Sequence, residues 1–336
     1  MKNLRNKNRN TAQVARRNTF QRPLRGAGIL VLCLAFQAAA TTGNANEYSS
    51  FSDVRIVLSD QTTPYMDFRH GFESRLPETV KAFSQFYLDK DAIDTDSLDE
   101  ESLILSVGTS ATRWALENTS QAVMASMIPS QTFHRLKAAH PDRHLSGLFI
   151  DQAPERHIAL ARSLFPEAKD LAIFSSGFDE DLKESLGQAA ESMGLTLHFN
   201  SVQTRTEIIR AVRVMRNSAD ALLVLPGSEI MPAPNLRALL LHSFRENLPV
   251  LGYSSGLVSA GSVAAIHSLP RALGEESAVH LQRLLKMKAS DWPSGQHPSD
   301  FQISSNRELA RSLRLPLPSD TTLRQRVQDL ETHDAP

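Results

Sequence analysis

From Asp53 onward the chain alternates short, apolar, β-rich runs with stretches of helical period, and this alternation narrows the fold more than any other feature. VRIVL (Val54–Leu58) is followed by a helix start at Thr62-Thr63-Pro64, then by Tyr65, Phe68, Phe72 and Leu76 at helical spacing. Val80–Leu88 and Ser102–Gly108 read as the second and third strands, and TSATRWALEN as a helix capped by Thr109 or Ser110. Ala122–Ile128 is a fourth strand stopped by Pro129, and His144–Ile150 a fifth.

A second series then begins. PERHIALARSLFPEA sets Ile158, Ala161, Leu164 and Phe165 on one helical face. DLAIFSS, LTLHFNS, ADALLVLPG, LPVLG and GSVAAIH read as strands. Between the first four lie helices DEDLKESLGQAAESMG, which Gly194 can end, TRTEIIRAVRVMRNS and APNLRALLLHSFRENL. Strands alternating with helices imply parallel sheets with crossover connections, so the two series predict two similar α/β, Rossmann-like lobes. They meet near Asp151-Gln152-Ala153-Pro154 without a long Gly/Ser linker, as expected of lobes that share a cleft. Pro270–Lys288 reads as a further amphipathic helix, and DWPSGQHPSD as a connector into strand FQIS. SSNRELARSLRL is a helix capped by Asn306. The expected division is residues 53–150 plus 267–299 for the N-terminal lobe and 151–266 plus 300–318 for the C-terminal lobe. Residues 319–336 form a peripheral tail with a short helix over Leu323, Val327 and Leu330.

The net charge of −1 hides an asymmetry. Residues 1–45 hold eight Lys or Arg and no acid, which leaves 28 basic against 37 acidic residues in the rest. An acidic body lacks the electrostatic footprint for nucleic acid. The basic head runs into GAGILVLCLAFQAAA and then TTGNA: a positive region, a short apolar core and small residues, the pattern of a secretory signal cleaved after Ala45 or Ala40, with Ala45 preferred. The apolar run is short against the ~20 residues of a membrane span. Residues 1–45 are therefore expected to be removed and the protein to be periplasmic. Cys33, the one cysteine, lies inside that run, so the mature chain has no thiol for a disulfide, a nucleophile or a metal.

Gly252-Tyr253-Ser254-Ser255-Gly256 fits G-x-S-x-G, the nucleophile elbow of serine hydrolases. An elbow needs a sustained helix after the serine, and a triad needs an acid and then a histidine. Here Leu257–Ala260 allows one turn before Gly261, and Asp291 and His297 sit close together in the Pro-rich connector. A ligand-touching loop is the better reading. His134, His140 and His144 fall in a stretch that reads as a polar loop of solvated histidines rather than a metal site, and no cofactor is expected.

Ligands of parallel α/β sheets sit beyond the carboxyl ends of the strands. Those ends carry Asp60 and Gln61; Thr109, Ser110 and Ala111; Ser175 and Ser176; Gly227 and Ser228; and Tyr253 and Ser254. Hydroxyls and glycines dominate, Asp60 being the charged member, and several precede helix N-termini that favour anionic or carbonyl oxygens. These are the candidate ligand-binding residues. Each taken alone also fits a turn or cap.

With these segments in order, roughly Val54 to Pro318 resembles the periplasmic substrate-binding proteins of ABC transporters. Within them it is similar to the type I branch related to tryptophan/tyrosine-type binding proteins. LILSVGTSATRWAL, HLSGLFIDQAPERHIALARSLFPEAKDLAIFSS, ADALLVLPGSEI, LPVLGYSSGLVSAGSVAAIHS and FQISSNRELARSLRLPLP carry the resemblance. It implies two lobes joined by three hinge strands that close on a small ligand. Contacts would come from Thr109-Ser110-Ala111 on one side, from Ser175, Ser176, Gly227 and Ser228 on the other, and from Tyr253 and Ser254. Three positions depart from the family pattern: Ser175-Ser176 where Asn is frequent, Gly227 where Asp is frequent, and Arg314 where a helix-ending Gly is usual. Without the carboxylate at 227 an obvious partner for a ligand ammonium is missing. The expected role is a non-enzymatic, monomeric protein that captures a small molecule and delivers it to an ABC permease in the inner membrane. The alternatives are ligand sensing for a sensor kinase or receptor and, third, a secreted hydrolase using Ser254.

Overall fold

The computed structural model describes residues 51, 53–76, 83–91, 93–95, 98–99, 101–175, 177–226 and 232–333. The expected signal segment, the start of the second strand at Val80–Ala82, and Ser176, Gly227 and Ser228 lie outside the described residues.

Two six-stranded sheets are wound in the same way. The first comprises β1 (Asp53–Leu58), β2 (Phe83–Tyr87), β3 (Ser102–Val107), β4 (Ala122–Ile128), β5 (Leu145–Phe149) and β11 (Gly295–Gln296), in the order β11-β5-β4-β3-β1-β2. The second comprises β6 (Asp170–Ser175), β7 (Thr196–Ser201), β8 (Ala221–Val224), β9 (Val250–Gly252), β10 (Ala264–His267) and β12 (Gln302–Ser305), in the order β12-β10-β9-β8-β6-β7. All pairings are parallel except β10 with β12. The molecule is thus α/β with two doubly wound lobes. β11 is a strand that the Pro-rich connector gave no sign of.

Period-2 alternation sends successive side chains to opposite faces, and both faces of each sheet are covered. In the first lobe Val54, Ile56, Leu58, Leu103, Leu105 and Met124 pack under α1 (Thr63–Ser74) and α9 (Pro270–Leu284). Val57, Ile104, Val123 and Ala125 pack under α2 (Thr109–Asn118) and α3 (Ser130–Ala139). In the second lobe Leu171, Ile173, Leu223 and Leu251 meet α4 (Pro154–Leu164) and α5 (Glu180–Ser192). Ala172, Phe174, Leu222 and Val250 meet α6 (Arg205–Met215), α7 (Ala233–Arg245) and α8 (Ser255–Ala260). α1 and α9 cross at a glycine pair. A Cβ at Gly71 would stand 2.0 Å from the Arg271 carbonyl oxygen, and one at Gly274 2.0 Å from that of Phe68.

Four sequence expectations need correction. The stretch carrying His134 is helix α3, because Phe133 and Leu136 reach the core; His140 only caps its end. Phe165 lies just past the end of α4, as its C-cap. The helix from Pro270 stops at Leu284, where Trp292 donates its indole N–H to the Leu284 carbonyl and closes the end. The tail is not peripheral: α11 (Asp320–His333) lays Leu323 and Val327, both fully buried, into the second-lobe core against α4. Arg156 pairs with Glu331 there, at 2.5 Å. The expected Asn306 cap is present on α10 (Arg307–Ser312), and Arg314 just beyond takes φ 59°, the left-handed conformation glycine usually fills.

Three stretches cross between the sheets: from β5 into α4, from β10 into α9, and from β11 into β12. Gln152 ties them together. Its Nε2 donates to Ser268 Oγ (2.6 Å) and to the Asp300 carbonyl (3.2 Å), while Arg156 donates to its Oε1 (2.7 Å). Ser268 donates in turn to the Ile150 carbonyl, and His297 Nδ1 to that of Asp151.

Candidate functional site

In this strand order the sheet reverses direction of growth between β1 and β3 in the first lobe and between β6 and β8 in the second, where crevices open beyond the strand ends. On the first lobe Ser59 organises that point. Its Oγ donates to the Val107 carbonyl (3.0 Å) and accepts the Ala111 N–H (3.0 Å), joining β1, β3 and α2. Tyr65 also bonds to Ser59. Burial pushes its phenol above the ordinary value; the Ser59 bond opposes the rise and Asp60 adds to it. Gly108, at φ 92°, is required here, since a Cβ would lie 2.6 Å from both Ser59 Oγ and Tyr65 Oη.

Gly108, rather than Thr109 or Ser110, caps α2. Thr109 and Ser110 occupy its first turn, Thr109 half-buried and Ser110 exposed, while Ala111 is fully buried with its N–H held by Ser59. Asp60 is turned inward on its own loop, accepting from the Thr62 N–H (2.7 Å) and hydroxyl (2.6 Å), and Gln61 accepts from Lys90 (2.6 Å).

On the second lobe Ser175 is fully buried, and its hydroxyl donates to the Gly177 carbonyl at 2.8 Å. Tyr253 is half-buried against the α6–α7 core, where burial raises its phenol. Ser254 is extended (φ −154°, ψ 154°) and accepts the Leu257 N–H at 3.2 Å, so it caps the six-residue α8, which ends at Gly261. An N-cap with ordinary backbone is not the strained elbow of a nucleophile. Asp291 accepts from Ser290, and His297 is held at the crossing, its ring 5.0 Å from that of Phe149. Among the described residues no group of three or more His, Cys, Asp or Glu could hold a metal.

The structure also assembles a depression that the strand-end reading missed. It lies beside the first crossing and is lined by Ser130, Gln131, Asp151 and Gln152, and from the second lobe by Pro154, His157, Leu182, Leu225 and Pro226. Its cavity volume is about 20 Å3, or about 280 Å3 of non-atom space when the part open to solvent is counted. Asp151 fixes one wall, accepting the Ser130 N–H (2.7 Å) and hydroxyl (2.5 Å) and so holding the start of α3. Gln131 comes next. Its side chain is buried, and neither Oε1 nor Nε2 has a hydrogen-bond partner. On α4, His157 is 2% exposed with Nδ1 unpartnered. Burial, reinforced by His297 and Arg156, lowers its pKa to about 3, so the ring is neutral. The signal that could find them is in the sequence: Pro129-Ser130-Gln131 and Asp151-Gln152 also follow strands.

Two doubly wound lobes, linked by three crossings and presenting strand-end loops and a shared depression, define the type I periplasmic binding class. Residues 103–320 match the family described as ABC transporter substrate binding protein, and the chain belongs to that family. No curated protein matches it. Among solved structures it is similar to an ABC domain from Streptococcus pneumonia in complex with L-Trp (18% identity, 81% of this chain and 98% of that one, TM-score 0.56). It is also similar to the ligand-free, open form of a substrate binding protein with adhesive properties from Clostridium difficile (15%, 80% and 97%, TM-score 0.61). At these identities the likeness is one of fold. The family binds solutes rather than transforming them, and its members work with a membrane transporter.

Proposed function

We propose that this protein is exported by its N-terminal segment, captures a small molecule between its lobes and delivers it to an ABC importer. The observation that carries the reading is the depression beside the first crossing, which both lobes line. A crevice at the strand ends with polar and apolar groups from both lobes suits a small organic solute. Bound solute would bridge the lobes and favour the closed form only by its greater affinity for that form. Of the strand-end residues, Thr109, Ser110 and Tyr253 remain the proposed lips. Asp60, Gln61, Ala111, Ser175 and Ser254 shape the loops around them, and Ser176, Gly227 and Ser228 are proposed contacts on the sequence reading alone.

A ligand that binds the folded form alone raises the melting temperature with its concentration. Thermal-shift screening of the purified protein against a metabolite library is expected to yield compounds with such a dose-dependent rise. A library in which no compound stabilises the protein, or in which the stabilising compounds are turned over, would overturn solute capture.

A further inference from the structure

Helices α6 and α7 lie side by side on one face of the second sheet, joined near their starts where Asn235 donates to the Gln203 carbonyl (2.7 Å). Their sheetward positions, Ile208 and Val212 of α6 and Leu239 and Leu240 of α7, are buried. The opposite positions recur at helical spacing: Thr206, Arg210 and Arg213 on α6, and Arg237, Leu241 and Phe244 on α7, all exposed. An ordinary solvated face mixes charges of both signs and turns its apolar groups inward. This one does neither. Val214 (59% exposed), Leu241 (45%) and Phe244 (44%) stand in water, three of the six exposed large hydrophobic side chains among the described residues.

Five exposed arginines accompany them: Arg205, Arg210, Arg213, Arg237 and Arg245. Among the described residues none of the five side chains forms an ion pair or a hydrogen bond. The nearby acids are committed elsewhere. Glu207 accepts the N–H groups of Gln203 and Thr204 and feels Arg210 through space, and Glu246 pairs with Arg216 at 2.6 Å. The pKa of His242 on α7 is lowered by burial, then by Arg245, Arg205 and Arg213, so one positive field spans both helices. Outside residues 1–45 the chain holds 28 basic against 37 acidic residues, and this concentration of cations is therefore local.

The chemistry selects an occupant. Thr206, Ile209, Arg210, Arg213 and Val214 line an open groove of about 370 Å3, with apolar walls beside guanidinium groups. A phospholipid offers both complements in one molecule: a phosphodiester that guanidinium binds bidentately, and acyl carbon for the apolar wall. Apolar side chains spread among arginines on a flat helical face match the interfacial helices of membrane-surface proteins. The family works with a membrane transporter, so a bilayer adjoins its place of action. Whatever solute the cleft takes, we propose that the α6–α7 face docks on anionic phospholipid. Arg210, Arg213, Arg237 and Arg245 meet headgroup phosphates, and Val214, Leu241 and Phe244 enter the boundary of the acyl chains.

The test sediments the purified full chain with vesicles of phosphatidylcholine alone or mixed with phosphatidylglycerol, at low and at high salt. Binding to the mixed vesicles alone, weakened by salt, is expected. Residues 1–45 are common to every variant, so differences between variants belong to the face. Arg210→Glu with Arg213→Glu should weaken partitioning at least about tenfold. Leu241→Ser with Phe244→Ser should weaken it about fivefold and keep the salt dependence. Arg113→Glu with Arg311→Glu makes the same change in net charge at exposed positions outside the face, and should bind within about twofold of wild type. Because all six positions are exposed, the three variants should melt within about 3 °C of wild type. No binding to mixed vesicles, wild-type binding by either face variant, or an equal loss in the charge control would overturn the assignment. Capture by immobilised polyglutamate without vesicle binding would replace the membrane with an acidic protein. A salt-sensitive dimer that the face variants abolish would replace it with a second copy.

Discussion

The two lobes share a strand order and a layer plan, yet their rims are built by different means. On the first lobe the bonds reach far along the chain: Ser59 holds Ala111, and Asp151 holds Ser130. On the second most are short-range, although Asn235 at the start of α7 donates to the Gln203 carbonyl before α6. Ser175 bonds Gly177, Asp179 caps α5, Thr204 and Glu207 form a capping box on α6, and Ser254 caps α8. Equal topology therefore does not imply equal construction. One rim depends more on sheet assembly, whereas much of the other can form as each helix forms.

The contrast can be broken or sharpened by experiment, and acid should give the largest effect. His157 in the second lobe is lowered by burial, then by His297 and Arg156, to about 3. His280 in the first is lowered by burial and Arg283 to about 4. Both are depressed, so the unfolded chain binds protons that the folded one refuses. Their destabilising effect is absent above pH 6.5 and grows as pH falls toward the folded values. For His157 the full swing is roughly 4–5 kcal/mol. Urea denaturation between pH 7.5 and 4 should show a steep loss of stability that His157→Leu flattens most and His280→Leu less; a steeper slope in either variant would refute the account.

Next in size is helix contact. Gly274→Ala in the first lobe should cost about 3 kcal/mol, because the new methyl meets the backbone of Phe68 and Phe72. Gly187→Ala on α5 of the second lobe meets nothing within 4 Å and should stabilise by up to about 1 kcal/mol. Smallest is the pair of rim serines. Ser59→Ala should cost about 1–2 kcal/mol and blunt any ligand-induced thermal shift, since the start of α2 loses its anchor. Ser254→Ala should cost about 1 kcal/mol, a lost cap, and leave any ester turnover of the preparation unchanged. Equal costs for the two, read from denaturation midpoints, would erase the distinction between the rims.

The fold was legible because strands buried on both faces read as unbroken apolar runs and turn residues punctuate them. Where reading failed, the missing information was tertiary. α4 reads as amphipathic through Ile158, Ala161 and Leu164, yet Ala159, Leu160 and Ser163 are buried too, because α11 returns from the end of the chain to cover it. Thr109 and Ser110 look like caps until Gly108 takes a positive φ and begins the helix one residue earlier. Gln131 carries no expectation from sequence, yet the fold buries it with both carboxamide ends unpartnered.

The glycine crossing of α1 and α9 sets an order of events for a nascent chain. Gly71 cannot meet Gly274 until roughly 200 further residues, including most of the second lobe, have been made. Phe68 and Phe72 must wait uncovered through that interval. The lobe begun first is thus closed only after most of the second has been made, and it stays open to threading until α9 arrives.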